Sequence, residues 1–112
     1  MAEIQSREEA GRQLAAVLGE LNIYGATEAR GELVALLARP APLELDLGGV
    51  SDFDSSGVQI LLMLKREAQR LGRQLTFVNH SPSVREVLDL LNLVAELGDP
   101  LVIPLDSTGG RP

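Results

Sequence analysis

Leu43-Glu44-Leu45-Asp46-Leu47 alternates apolar and polar side chains after Pro42, meets Gly48-Gly49, and runs through Val50-Ser51-Asp52-Phe53 into Asp54-Ser55-Ser56-Gly57-Val58. Alternation bounded by proline and glycine predicts a short strand over 43–47 with one buried face, followed by a polar turn. Beyond the turn the period changes. Val58, Leu61, Leu64, Ala68 and Leu71 recur at helical spacing and stop at Gly72, which predicts an amphipathic helix ending in a left-handed glycine. Asp54 and Ser55 stand just before the first apolar residue, where a side-chain oxygen can accept from the unpaired N–H groups of an opening helical turn.

The chain repeats this grammar downstream. Gln74-Leu75-Thr76-Phe77-Val78 is short and rich in β-formers, and it ends at Asn79-His80-Ser81-Pro82. Ser81 as N-cap and Pro82 at the first helical position open a second helix with Val84, Val87, Leu88 and Leu91 on its apolar face. Leu101-Val102-Ile103, between Pro100 and Pro104, fits a last edge strand. Ser107 to Pro112 reads as a disordered tail.

Upstream, residues 27–38 predict a helix with Thr27 as N-cap and Ala29, Leu33, Leu36 and Leu37 on one face, ending before Pro40. Residues 8–21 are ambiguous. Leu14, Val17, Leu18 and Leu21 have helical spacing, but Gly11 and Gly19 interrupt them, each costing about 1 kcal/mol in a helix interior. The residues alone leave helix and strand open there. No internal repeat or linker divides the chain.

Composition narrows the function classes. At 112 residues the chain suits one domain, and with 45% apolar but only 3% aromatic residues its core is aliphatic. A net charge of −6 offers phosphate backbones and anionic lipid no basic stripe, which argues against nucleic-acid binding. Without cysteine there is no disulfide, thiolate metal site or thiol nucleophile. The start, Met1-Ala2-Glu3-Ile4-Gln5-Ser6-Arg7, lacks the basic and apolar regions of a secretory signal, and no run of 18 apolar residues spans a membrane. A cytoplasmic protein is expected.

The order strand, Asp-Ser-Ser-Gly turn, helix, strand, Ser-Pro turn, helix resembles the STAS family, which includes the anti-sigma factor antagonists of bacterial partner-switching pathways. The resemblance rests on Leu43 to Leu47, Phe53-Asp54-Ser55-Ser56-Gly57-Val58, Leu75 to Val78, Ser81-Pro82-Ser83-Val84 and Leu88 to Leu93. Val17-Leu18-Gly19-Glu20-Leu21-Asn22 is similar to the family's Gly-Glu-Leu-Asp stretch, which lies on a strand. The resemblance therefore replaces the local helical reading with an N-terminal hairpin, residues near 2–8 and 13–21 turning at Ala10-Gly11. It implies an α/β fold: a small mixed β-sheet with helices packed mainly on one face, the STAS domain occupying residues 1–106.

It also implies a function in signal transduction and transcription regulation. In phosphorylatable members the serine after the motif aspartate takes a phosphate from a partner kinase, and that position here is Ser55, with Ser56 next to it. A helix N-terminus favours a phosphate dianion, while the carboxylates of Asp52 and Asp54 would repel the added charge and alter what docks there. The implied reading is a non-enzymatic binding module with no cofactor. It binds a kinase-type anti-sigma factor, is released by phosphorylation of Ser55, and is reset by a phosphatase. Asp54, Ser56, Gly57, Asn22 and Asp52 form its partner-binding loop region. The sequence departs from the family pattern at Asn22, where aspartate is usual, and at Gln59, where many members carry glycine.

Other readings are a STAS subunit of an ABC-type lipid transporter, binding its ATPase without phosphorylation, a STAS subunit of a chemotaxis-related system, and, from another class, a small serine hydrolase using Ser55. The last needs an activating base and an oxyanion site. The sole histidine, His80, reads as a solvated turn residue, and no Gly-x-Ser-x-Gly elbow surrounds Ser55. Asp46, Asp52 and Asp54 read as solvated or capping groups rather than metal ligands. Gly48-Gly49 lacks the lysine of a phosphate-binding loop. Leu61-Leu62-Met63-Leu64 exceeds one buried stripe, so Leu62 or Met63 could edge a docking surface, though core is the simpler reading.

Overall fold

The computed structural model describes residues 2–90. Two strands, β1 (Ala2–Glu9) and β2 (Arg12–Leu21), pair antiparallel as a hairpin. Its two-residue turn places Ala10 at φ +53° and Gly11 at φ +78°, the left-handed pair that matches the twist of the flanking strands. The hairpin expected from the family resemblance is thus present, and the helical spacing of residues 14–21 is overridden by pairing. Val17 and Leu21 are fully buried on one side of β2, whereas Leu14 and Leu18 are half-buried.

Helix α1 (Ala26–Leu37) follows, burying Ala26, Ala29, Leu33 and Leu37. Its N-cap is Gly25, not Thr27, and no side chain caps it; the first helical N–H, that of Ala26, is instead accepted by Asn22 O at 2.8 Å. Strand β3 (Leu43–Phe53) runs parallel to β2, and β4 (Leu75–Val78) parallel to β3, giving the sheet order β1-β2-β3-β4. Between β3 and β4 lies α2 (Ser55–Leu71), and α3 (Pro82–Leu90) ends the described chain.

The expected strand over 43–47 is the first half of a longer one. Gly48-Gly49 does not turn the chain; β3 passes through it with two irregularities, the register stepping from Ala16↔Asp46 to Leu18↔Gly49 and from Gly19↔Val50 to Glu20↔Asp52. Each inserts an extra residue on β3, as a β-bulge does. Inward residues therefore fall at Leu43, Leu45 and Leu47 and then at Val50 and Phe53. A Cβ on Gly49 would lie 2.3 Å from Leu18 Cδ2, so glycine here serves close strand approach.

Alternate residues Ala15 and Val17, Leu43, Leu45 and Leu47, and Leu75 and Phe77 all point to the face covered by the helices, where they join Leu33, Leu61, Leu64 and Leu88 in one core. The opposite face holds half-buried Leu14, Ala16, Glu44 and Asp46. Leu62 and Met63 are partly buried against the core. His80 is only 8% exposed, so the expectation of a solvated turn residue is corrected: the turn after β4 packs inward, Ser81 donating its N–H to Leu47 O at 3.2 Å and accepting from Val84 N–H through Oγ at 3.2 Å. Ser81 therefore is the N-cap expected for α3. Leu91, the edge strand at 101–103, the domain limit at 106 and the tail at 107–112 lie outside the described residues.

Candidate functional site

Strands β2 and β3 end together. Leu21 and Phe53 are register partners, so the next residues along each strand, Asn22 and Asp54, emerge side by side at the carboxyl edge of a parallel pair. That edge is where open α/β sheets place their functional groups. Asp52, Asp54, Ser55, Ser56 and Gly57 arrive from the β3–α2 junction, and Asn22 arrives from the β2–α1 turn.

Asp54 is extended, φ −137° and ψ −167°, and caps α2: its Oδ1 accepts from Ser56 N–H at 2.9 Å and its main-chain oxygen from Val58 N–H at 3.1 Å. Its second oxygen, Oδ2, accepts from Ile23 N–H at 3.2 Å. One carboxylate thus joins the start of α2 to the β2–α1 turn. Ser55 is the first residue of α2 and is exposed, and Ser56 is half-buried. The glycine at 57 is a packing requirement, since a Cβ there would lie 2.4 Å from Leu21 O and 2.6 Å from Phe53 Cε1. Only glycine lets the first turn of α2 lie against the end of β2.

Asn22 is 5% exposed. Its Oδ1 accepts from Tyr24 N–H at 2.9 Å and Gly25 N–H at 3.1 Å, while its main-chain oxygen accepts from Ala26 N–H at 2.8 Å. With Oδ1 facing two donors the amide orientation is determined, and Nδ2 donates to Asp52 Oδ2 at 2.6 Å. The departure from aspartate therefore supplies a donor that a carboxylate lacks. The contacts of Oδ1 and of the main-chain oxygen, which an aspartate could make as well, order the residues that lead into α1, where Thr27 was the expected cap. Both Asp52 and Asp54 are held by neutral donors, an amide or main-chain N–H, and among the described residues no cation pairs with either carboxylate.

All the residues expected at the site are brought to one edge. The structure adds two that sequence periodicity passes over: Ile23, 66% exposed, and Tyr24, 81% exposed. They belong to neither strand nor helix pattern; their signal is two large side chains in the short turn between Asn22 and Gly25. Asp46 lies apart, accepting from Gly48 N–H at 2.7 Å and from Asn79 Nδ2 at 3.1 Å. Among the described residues no group of three or more His, Cys, Asp or Glu is placed to hold a metal ion, and no helix is long and apolar enough to cross a membrane.

Comparison with known proteins agrees with this architecture. The family model described as "Mlab, STAS domain" matches residues 5–102. The chain is similar to the crystal structure of an anti-sigma factor antagonist from Mycobacterium paratuberculosis, at 23% identity over 96% of this chain and 90% of that one, with a TM-score of 0.77. It is similar to the phosphorylated form of the Bacillus cell fate determinant SpoIIAA, at 20% identity, covering 95% and 96%, with a TM-score of 0.64. A part of the murine anion transporter Slc26a9 is also similar, at 24% identity over 77% of this chain and 14% of the transporter, TM-score 0.64. At these identities the likenesses establish the fold. No curated protein sequence matches.

Proposed function

Since the chain belongs to the STAS family, we propose that it is a regulatory protein-binding module of the anti-sigma factor antagonist type, which holds a kinase-type partner while Ser55 is unmodified and leaves it when Ser55 is phosphorylated. The observation that supports this is the exposed Ser55 at the first position of α2, set among Asn22, Asp52 and Asp54 and beside the two exposed apolar residues Ile23 and Tyr24. A tyrosine and an isoleucine projecting next to a modifiable hydroxyl form a compact contact surface whose neighbour can change charge.

In the modification, Ser55 Oγ forms a bond to the terminal phosphorus of ATP held by the partner, its proton passes to a base of that kinase, and ADP leaves. The new group carries a charge of about −1.5 to −2 beside two carboxylates already present. A partner seated over the pair would then bury a dianion next to fixed negative charge, which is strongly unfavourable without a matching cation. The opposing phosphatase restores the alcohol by hydrolysis.

The test is incubation with the cognate kinase and ATP, with the modified residue mapped by mass spectrometry. One phosphate on Ser55, absent in Ser55→Ala, is expected. Labelling that persists in Ser55→Ala defeats the assignment.

A second reading is kept because the matching family model is described as Mlab and not as an antagonist. In it the chain is a constitutive STAS subunit, serving an ABC-type lipid transporter ATPase or a chemotaxis-related system, and Ser55 acts only as a helix-start residue. Affinity capture of the full chain from its native cell separates the two. An ABC ATPase recovered without a histidine-kinase-like ATPase selects the second.

A further inference from the structure

We propose that Asp54 is a positioning residue that couples the state of Ser55 to the Ile23-Tyr24 turn, so that a phosphate on Ser55 frees the Ile23 N–H and re-aims the exposed pair. The inference rests on the switch reading above and specifies how that switch reaches the partner surface.

The starting point is that the two oxygens of Asp54 serve different segments. Oδ1 holds Ser56 N–H at 2.9 Å, within α2, and Oδ2 holds Ile23 N–H at 3.2 Å, across from the β2–α1 turn. A phosphate on the adjacent residue acts on both. It repels the Asp54 carboxylate, and its oxygens compete for the N–H groups that open the helix. The Ile23 bond is the longer one and lies in an exposed setting, so it is the first to yield.

What happens next is limited by Asn22. Tyr24 N–H and Gly25 N–H remain on Asn22 Oδ1, and Asn22 is itself fixed to Asp52 at 2.6 Å. The turn therefore pivots about Asn22 rather than melting, and the change is confined to Ile23 and Tyr24, which are 66% and 81% exposed. The partner surface that fits the resting state has an apolar pocket for these two side chains and a basic rim facing Asp52 and Asp54.

The experiment uses the full chain with phosphoserine installed at position 55 during translation, so it needs no kinase. Hydrogen exchange and the ¹⁵N shift of the Ile23 amide report on the bond. Emission from Tyr24 reports on the side chain, because the protein has one tyrosine and no tryptophan. Phosphoserine is expected to speed Ile23 exchange about tenfold, the effect of losing one hydrogen bond, and to alter Tyr24 emission. Asp54→Asn keeps an Oδ1 to cap Ser56 while turning a donor toward Ile23. Without phosphate it should reproduce the Ile23 and Tyr24 changes, with the amides inside α2 unmoved, and installing phosphoserine in it should add nothing further at Ile23. An Ile23 amide indifferent to phosphoserine in the unsubstituted chain overturns the coupling, and so does an equal response in Asp54→Asn; the first comparison requires no variant to fold. Failure of kinase labelling would strike the switch reading alone, whereas an unresponsive Ile23 would strike only this coupling.

Discussion

Asn22 occupies a position where family resemblance leads one to expect a carboxylate, and its contacts explain why this chain does without one. A carboxylate could still accept from Tyr24 and Gly25 N–H, but its other oxygen would face Asp52 Oδ2 across the 2.6 Å now bridged by an amide donor. Asn22→Asp should therefore cost about 1–3 kcal/mol, the range for a buried polar group at position 22 that loses its partner, here facing the exposed Asp52 carboxylate, read as a lower urea midpoint at unchanged slope. Adding Asp52→Asn restores a donor to the pair. The double variant should regain most of the loss, and a strictly additive cycle would show that the Asn22–Asp52 bond contributes nothing. Ala10 is a second residue whose side chain and backbone disagree: it adopts φ +53° in the hairpin turn, a conformation that costs an ordinary L-residue roughly 1–2 kcal/mol. Ala10→Asn should raise the melting temperature by several degrees, since asparagine followed by glycine is the favoured pair for such a turn.

At the level of the elements, the glycines of α1 and α2 make opposite predictions from the same geometry. Gly57→Ala drives a Cβ to 2.4 Å from Leu21 O. Main chain at the end of a strand cannot yield cheaply, so the loss should reach or exceed about 3 kcal/mol, the upper end for overpacking. Gly31, inside α1, would meet nothing within 4 Å of an added Cβ, and Gly31→Ala should stabilise by roughly 0.5–1 kcal/mol through helix propensity alone; thermal unfolding of both variants decides the matter. The same elements show what the sequence made legible. Helix α2 could be read whole, because its period, the Asp54 cap and the Gly72 stop at φ +69° all agree. Strand β3 could be read only as far as Leu47, because its bulges break the alternation into three-residue steps, Leu47 to Val50 to Phe53, and its two glycines mimic a turn. Strand β2 was hidden for a different reason: Leu14, Val17, Leu18 and Leu21 do fit a helix, and only pairing with β1 and β3, which no local window contains, decides otherwise. The site was half legible. Asp54 and Ser55 announce themselves as a helix start, but their meeting with Asn22 depends on the register Leu21↔Phe53, and Ile23 and Tyr24 fall in a turn too short for any periodicity to describe.

For the molecule as a whole the governing quantity is charge. The chain carries a net −6, and two of its acidic groups, Asp52 and Asp54, lie on the proposed contact edge with only neutral donors among the described residues, so a complementary partner is basic and is drawn in by long-range attraction. Phosphorylation then presents a conflict of signs. A further charge of about −1.5 to −2 makes the free protein more acidic and, at separations beyond the Debye length, a better target for a basic partner. If the modified form is nonetheless released, the unfavourable effect must arise at contact, from the repulsion around Ser55 and the displaced Ile23-Tyr24 pair. Association and dissociation rates separate the two ranges. With the partner recovered by affinity capture, association at low salt should be unchanged or faster for the phosphoserine form and should slow for both forms as ionic strength rises. Dissociation should accelerate by about 100-fold or more, because differences among variants of one interface reside mainly in the off-rate. A phosphate that slows association tenfold at low salt while leaving dissociation unchanged would place the partner's rim on the acidic side and remove the basis for a contact-range switch.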